Sequence, residues 1–140
     1  MGTIETFDHT ADVGLRIRAE TLNELFQLAA EGMFDYIVAN RDAVRKVERD
    51  TISLSSETGT DLLATWLSEL IFLSETRHHL YCQFDMNVSS DCQSLEATIH
   101  GEPIDRERHE LDHEVKAVTR HGLSLRQDGT GWEAELILDI

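Results

Sequence analysis

Residues Phe7-Asp8-His9-Thr10-Ala11-Asp12-Val13-Gly14-Leu15-Arg16-Ile17-Arg18-Ala19 hold the first clue to the fold. Thr3 to Phe7 reads as a short strand. From Val13 the pattern alternates without a break. Val13, Leu15, Ile17 and Ala19 share one face and Arg16 and Arg18 the other, the period of a half-buried strand. Between the two strands lies a polar knot, Asp8 to Asp12, with two carboxylates, an imidazole and a hydroxyl but no large apolar side chain. Such a knot adds little to a core, but it sets oxygen and nitrogen donors at a sheet end. Thr21-Leu22-Asn23-Glu24 then changes the period. It has the form of a capping box, in which the hydroxyl accepts from a first-turn amide and Glu24 reaches back. Leu22, Leu25, Phe26, Ala29, Ala30, Met33, Phe34 and Ile37 follow at helical spacing and predict an amphipathic helix over Leu22–Ala39.

Working outward, Val44 to Ser55 reads as one or two strands, and Glu57-Thr58-Gly59-Thr60-Asp61 is a second capping signal. A helix follows, through Leu62, Leu63, Trp66, Leu67, Leu70, Ile71 and Leu73. Leu80, Cys82, Phe84, Met86 and Val88 alternate as a strand. A turn at Ser89–Cys92 returns Leu95, Ala97 and Ile99 antiparallel to it, which would set Cys82 opposite Ile99. Gly101 to Glu114 carries no period and holds the single proline, so it reads as an irregular surface excursion. Val115 to His121 reads as a strand with Lys116 in its middle. Asp128-Gly129-Thr130-Gly131 is a hairpin turn, and Trp132 to Ile140 forms the last strand. The expectation is one domain over residues 1–140 of the α+β class. It has antiparallel β-sheets of about seven or eight strands with two amphipathic helices packed on one side.

Twenty-seven acidic residues against twelve basic ones give a net charge of −15. That field repels phosphate backbones, so direct nucleic-acid binding is not expected, whereas divalent cations and basic proteins are favoured. A solvated surface explains the excess equally well. Cys82 and Cys92 lack metal-binding or redox spacing and read as free thiols. With no apolar run long enough for a membrane span and no signal-peptide pattern, a soluble cytoplasmic protein is expected.

Three polar groups stand out. Asp8, His9 and Asp12 suit a hard cation such as Mg²⁺ or Ca²⁺, though on spacing alone a turn cap and one satisfied histidine fit better. Asp139 and Ile140 end the last strand. If that strand pairs beside the knot, Asp12, Asp139 and the terminal carboxylate share one place. Lys116 is either an edge charge or a fixed cation for a phosphate or carboxylate, and His121 is as ambiguous. His78-His79 and His109…His113 have metal-like spacing, but neither pair is expected to bind. No nucleophile has a base beside it, and the common catalytic motifs are absent, so no enzyme is expected.

The motifs Asp8-His9-Thr10-Ala11-Asp12-Val13-Gly14, Leu22 to Ala30 and Leu62 to Ile71 resemble those of archeases. So do Gly101-Glu102-Pro103-Ile104-Asp105, His109-Glu110-Leu111, Val115-Lys116-Ala117-Val118-Thr119 with His121, and Trp132 to Ile140. The likeness runs end to end. It implies an accessory factor of the RtcB-type RNA ligase that promotes transfer of a guanylyl group from GTP to the ligase's active-site histidine. That transfer supports repeated turnover in tRNA splicing and RNA repair. It also implies a divalent metal, Ca²⁺ with Mg²⁺ or Mn²⁺ as alternatives, on Asp12, Asp139 and Ile140. Asp8, His9, Lys116 and His121 would then support the site or meet the partner. The other reading is a general chaperone-like modulator that needs no metal. Arg120, where the family commonly has Tyr, is the departure nearest His121; Thr65 and Ser68 depart on the second helix.

Overall fold

The structure is a computed structural model that describes residues 2–9 and 12–140, without the side chains of Asp8 and His9. Two antiparallel strands, β1 (Thr3–His9) and β2 (Asp12–Ala19), lead into helix α1 (Leu22–Ile37) and a 3-10 turn at Arg41–Ala43. Strand β3 (Glu48–Ser55), helix α2 (Gly59–Arg77) and strands β4 (His79–Val88), β5 (Ser94–Pro103), β6 (Ala117–Asp128) and β7 (Gly131–Asp139) complete the chain. The strands form two antiparallel sheets, one ordered β1-β2-β7-β6 and the other β3-β5-β4. The expected α+β architecture of antiparallel sheets with two helices is therefore present, with seven strands among the described residues.

Both helices begin where the capping residues stand. Thr21 Oγ1 accepts from the N–H of Glu24 at 3.1 Å, and Glu24 Oε1 accepts from the N–H of Glu20. Thr58 Oγ1 accepts from the N–H of Asp61 at 3.1 Å. These hydroxyls satisfy amides that have no partner within the helix. Thr58→Ala should therefore cost about 1 kcal/mol, while Thr58→Ser should cost little. Urea unfolding of the two variants checks this.

The core lies where both helices meet both sheets: α1 touches β1, β2, β7 and β4, and α2 touches β6, β3 and β4. Leu15, Ile17, Phe26, Phe34, Trp66, Leu67, Phe84, Ile99 and Leu136 are all buried there. Trp66 spans the two helices by donating from Nε1 to the Phe26 carbonyl at 3.0 Å. Phe34 stacks on Phe84, with ring centroids 5.7 Å apart. Burying such aromatic surface is the main stabilising term.

Three local expectations are corrected. The β4–β5 turn is longer than four residues, with Cys92 at positive φ and Val88 opposite Leu95, so Phe84 rather than Cys82 faces Ile99. Cys82 sits where the register slips between Tyr81 and Gln83. Both thiols are free, and burial pushes both up in pKa. Strand β5 runs through Gly101 and Glu102 to Pro103, so the irregular excursion starts later than expected. Lys116 lies just ahead of β6 rather than in mid-strand.

Candidate functional site

Strand pairing in the first sheet brings distant parts of the chain into one row. His9 pairs with Asp12, Asp12 with Asp139, and Asp139 with Ala117. Asp12 and Asp139 are thus direct cross-strand neighbours despite standing at opposite ends of the sequence. Because Val13, Leu15, Ile17 and Ala19 are buried, alternation places Asp12 on the opposite face, that of Arg16 and Arg18. Asp139 is exposed and Asp12 half-buried, while Ile140 packs against the core. The backbone N–H of Lys116 donates to the Asp139 carbonyl at 2.7 Å, and its side chain is exposed. His121 is exposed too, in the irregular part of β6 between Thr119 and Ser124, and its N–H donates to Thr119 Oγ1 at 2.9 Å.

Two carboxylates directly opposite each other repel, and a cation between them offsets that cost. Oxygen donors of this kind suit a hard divalent ion. Among the described residues no three His, Cys, Asp or Glu side chains converge as a complete site. Thr10 and the side chains of Asp8 and His9 lie outside the described residues. The chain therefore presents two carboxylates in a row at a sheet end, with further donors still required.

Beside this row the same face carries a mixed-charge ladder. Phe7 lies against Gly14, and the Arg16 guanidinium sits 5.2 Å from its ring centroid. Arg16 bridges Glu135 at 2.7 Å and Glu5 at 3.3 Å. In the next row Glu133 is buried and takes Arg18 at 2.6 Å and Arg126 at 2.5 Å. Arg18 first and then Arg126 hold its carboxyl below the usual range. Arg120 Nη1 donates to Asp61 Oδ1 at 2.6 Å, so the residue that departs from the resemblance ties β6 to the first turn of α2.

A second group lies around Glu102, buried at the end of β5; the sequence shows Glu102 and His109 within motifs but not their contact. Arg108 donates to it from Nη2 at 2.5 Å and from Nη1 at 2.9 Å, and the N–H of Arg45 donates at 2.7 Å. His109, also buried, accepts at Nδ1 from the N–H of Asp105 at 2.9 Å. Its proton must then sit on Nε2, from which it donates to Glu102 Oε2 at 3.0 Å. Arg108 first, then the Arg45 N–H and His109, push the Glu102 carboxyl down to about 2 against the opposing effect of burial. Buried polar side chains in an aperiodic stretch leave no hydrophobic pattern, and so their contact has no periodic signature in the sequence. His113 does not join His109: it stacks on Tyr36, with ring centroids 4.2 Å apart. His78 closes α2 in the left-handed conformation, and His79 Nε2 lies 2.6 Å from Glu48 Oε2.

Residues 4–140 match the model of the archease protein family (MTH1598/TM1083). A protein archease of Pyrococcus furiosus is 35% identical over 139 residues, covering 97% of each chain. One of Methanosarcina mazei is 33% identical, covering 97% of this chain and 94% of its own. Among solved structures, the solution structure of Methanobacterium thermoautotrophicum protein 1598 superposes with a TM-score of 0.80 at 33% identity, over 98% of both chains. The crystal structure of a Thermotoga maritima protein, described as an archease and possible chaperone, superposes with a TM-score of 0.68 at 19% identity. It covers 97% of this chain and 96% of its own, and it supports the fold alone.

Proposed function

The chain belongs to the archease family, and on that premise we propose that it is an accessory factor, not itself a ligase, for an RtcB-type RNA ligase. In this reading it promotes guanylylation of the ligase's active-site histidine from GTP and so supports repeated turnover in tRNA splicing and RNA repair. A divalent ion, Ca²⁺ before Mg²⁺ or Mn²⁺, would be held by Asp12, Asp139 and Ile140. The observation that carries this reading is the direct cross-strand pairing of Asp12 with Asp139.

The donor set fits a hard cation, since its side-chain donors are carboxylate oxygens and two like charges face each other across one strand pair. When bound, the ion supplies positive charge that the acidic chain lacks and that a triphosphate requires. The chain's own contribution is rigidity. Two adjacent strands hold the carboxylates, and the Lys116 N–H fixes the Asp139 backbone. The Lys116 and His121 side chains are exposed toward a ligase or a nucleotide. The excess of negative charge suits a basic partner surface and disfavours direct contact with RNA.

Stimulation of guanylylation by Asp12→Ala or Asp139→Ala should fall by on the order of tenfold or more, and chelation should do the same to the native chain. A guanylylation assay on the cognate ligase decides the matter. Undiminished stimulation by both variants and after chelation would refute the metal-dependent reading and favour a modulator that works without metal.

A further inference from the structure

Between Ile104 and Val115, which are themselves packed against the core, the segment has almost nothing apolar with which to hold itself down. Leu111 is 37% exposed, and of the residues between Ile104 and Val115 only His109 is buried. The segment is held by polar bonds instead, at nearly every step. The N–H of Ile104 donates to the His78 carbonyl, and the N–H groups of Arg108 and His109 both donate to the Asp105 carbonyl. Arg108 and His109 then anchor the turn on buried Glu102. Asn40, just beyond α1, grips the next part from both sides. Its Nδ2 donates to the Arg108 carbonyl at 3.0 Å, and its Oδ1 accepts from the N–H of Glu110 at 2.8 Å. The N–H groups of Ala39, Asp112 and His113 bond to Glu110, Ile37 and Tyr36 in turn. Val115 is buried, and the next residue is Lys116, whose N–H holds the Asp139 carbonyl at 2.7 Å.

We propose that residues 104–116 form a tether that transmits the position of the buried Glu102–Arg108–His109 group to the Asp12/Asp139 strand end, with Asn40, Glu102 and His109 as positioning residues for Lys116. The physical basis is the lack of slack. From Ile104 onward each short stretch is pinned to α1, to the residues beyond it or to β5. Between the last α1 bond, at His113, and the Lys116 bond stand only Glu114 and the buried Val115. The anchor, the Asn40 grips and the α1 bonds therefore act together in setting where the segment enters Val115 and Lys116. The purpose assigned to Lys116 and Asp139 rests on the reading above, whereas the mechanical coupling does not.

Hydrogen exchange of backbone amides in the full chain tests the coupling. Asn40→Ala removes both grips on the tether without touching the core, and His109→Gln keeps a donor toward Glu102 while losing the acceptor for Asp105. In both, the Lys116 amide should exchange at least about tenfold faster, while the amides of Leu15 and Ile17, deep in the same sheet, keep their native rates. The apparent affinity for Ca²⁺ alone, measured by calorimetry, should fall several-fold in the same variants. The coupling is overturned if the Glu110, Asp112 and His113 amides lose protection while Lys116 keeps its native rate. It is equally overturned if Lys116 exchanges faster only together with Leu15 and Ile17. If the native chain binds no Ca²⁺, the metal reading fails while the exchange result still decides the tether.

Discussion

Glu102→Gln should lower stability at pH 7 by about 3 kcal/mol, read as a shift in the urea midpoint. Removing one partner of a buried ion pair leaves the other charge desolvated and unmatched. Here that charge is Arg108, whose two nitrogens both face the Glu102 carboxylate and which would keep only the Ala43 carbonyl and the more distant Asp105. The loss should also depend on pH. The Glu102 carboxyl stands at about 2 in the folded chain, below its ordinary 4.5. A depressed carboxyl stabilises the fold above its unfolded value, and that contribution disappears as pH falls through the folded one. The gap between native chain and variant should therefore be full above pH 4.5 and shrink steadily toward pH 2. A gap that stays constant across that window would mean that the packing of residue 102, rather than its ionisation, carries the stability.

Glu102 and His109 stand in recognisable motifs, but their burial and mutual contact leave no local pattern, unlike the elements that could be read. Alternation in Val13–Ala19, the capping residues Thr21 and Thr58, and the 3.6-residue stripe of α1 are local patterns, so β2 and the starts of both helices could be read directly. The end of α1 at Ile37 rather than Ala39 follows from a tertiary contact, since the Ala39 N–H turns to the Glu110 carbonyl. Lys116 stands outside β6 for a related reason: its N–H meets Asp139 one step before the ladder begins at Ala117.

The candidate site divides along the same line. Residue types were legible: two carboxylates in the N-terminal knot and one at the end of the last strand. Their adjacency was not, because strand order is a long-range property that no spacing within 140 residues encodes. The register Asp12↔Asp139 supplies that missing step and places the row on the solvent side of the sheet. By contrast, the Glu102 group hid inside a stretch that lacked any period, since a buried ion pair replaces hydrophobic anchors with residues that normally mark exposed loops.

Gly101→Ala should be the most damaging single methyl in the chain, costing more than about 3 kcal/mol. Gly101 sits in the middle strand of its sheet, paired with Glu48 on one side and Tyr81 on the other. A Cβ built there would lie 1.9 Å from the Leu80 carbonyl oxygen and 2.8 Å from the Tyr81 Cα. Both obstacles are backbone, and β4 cannot retreat without giving up its pairing with β5. Gly14→Ala provides the comparison. Its Cβ would meet the Phe7 ring at 2.2 Å, but that ring is a half-buried side chain that can swing aside. A glycine inside a strand signals close backbone approach, and Gly101 is such a case one residue before the buried Glu102. Thermal unfolding of the two variants side by side should show Gly101→Ala as the larger loss by at least about 2 kcal/mol. Equal losses would show that β4 yields as readily as a phenyl ring, and that the close crossing at Gly101 does not hold Glu102 in place.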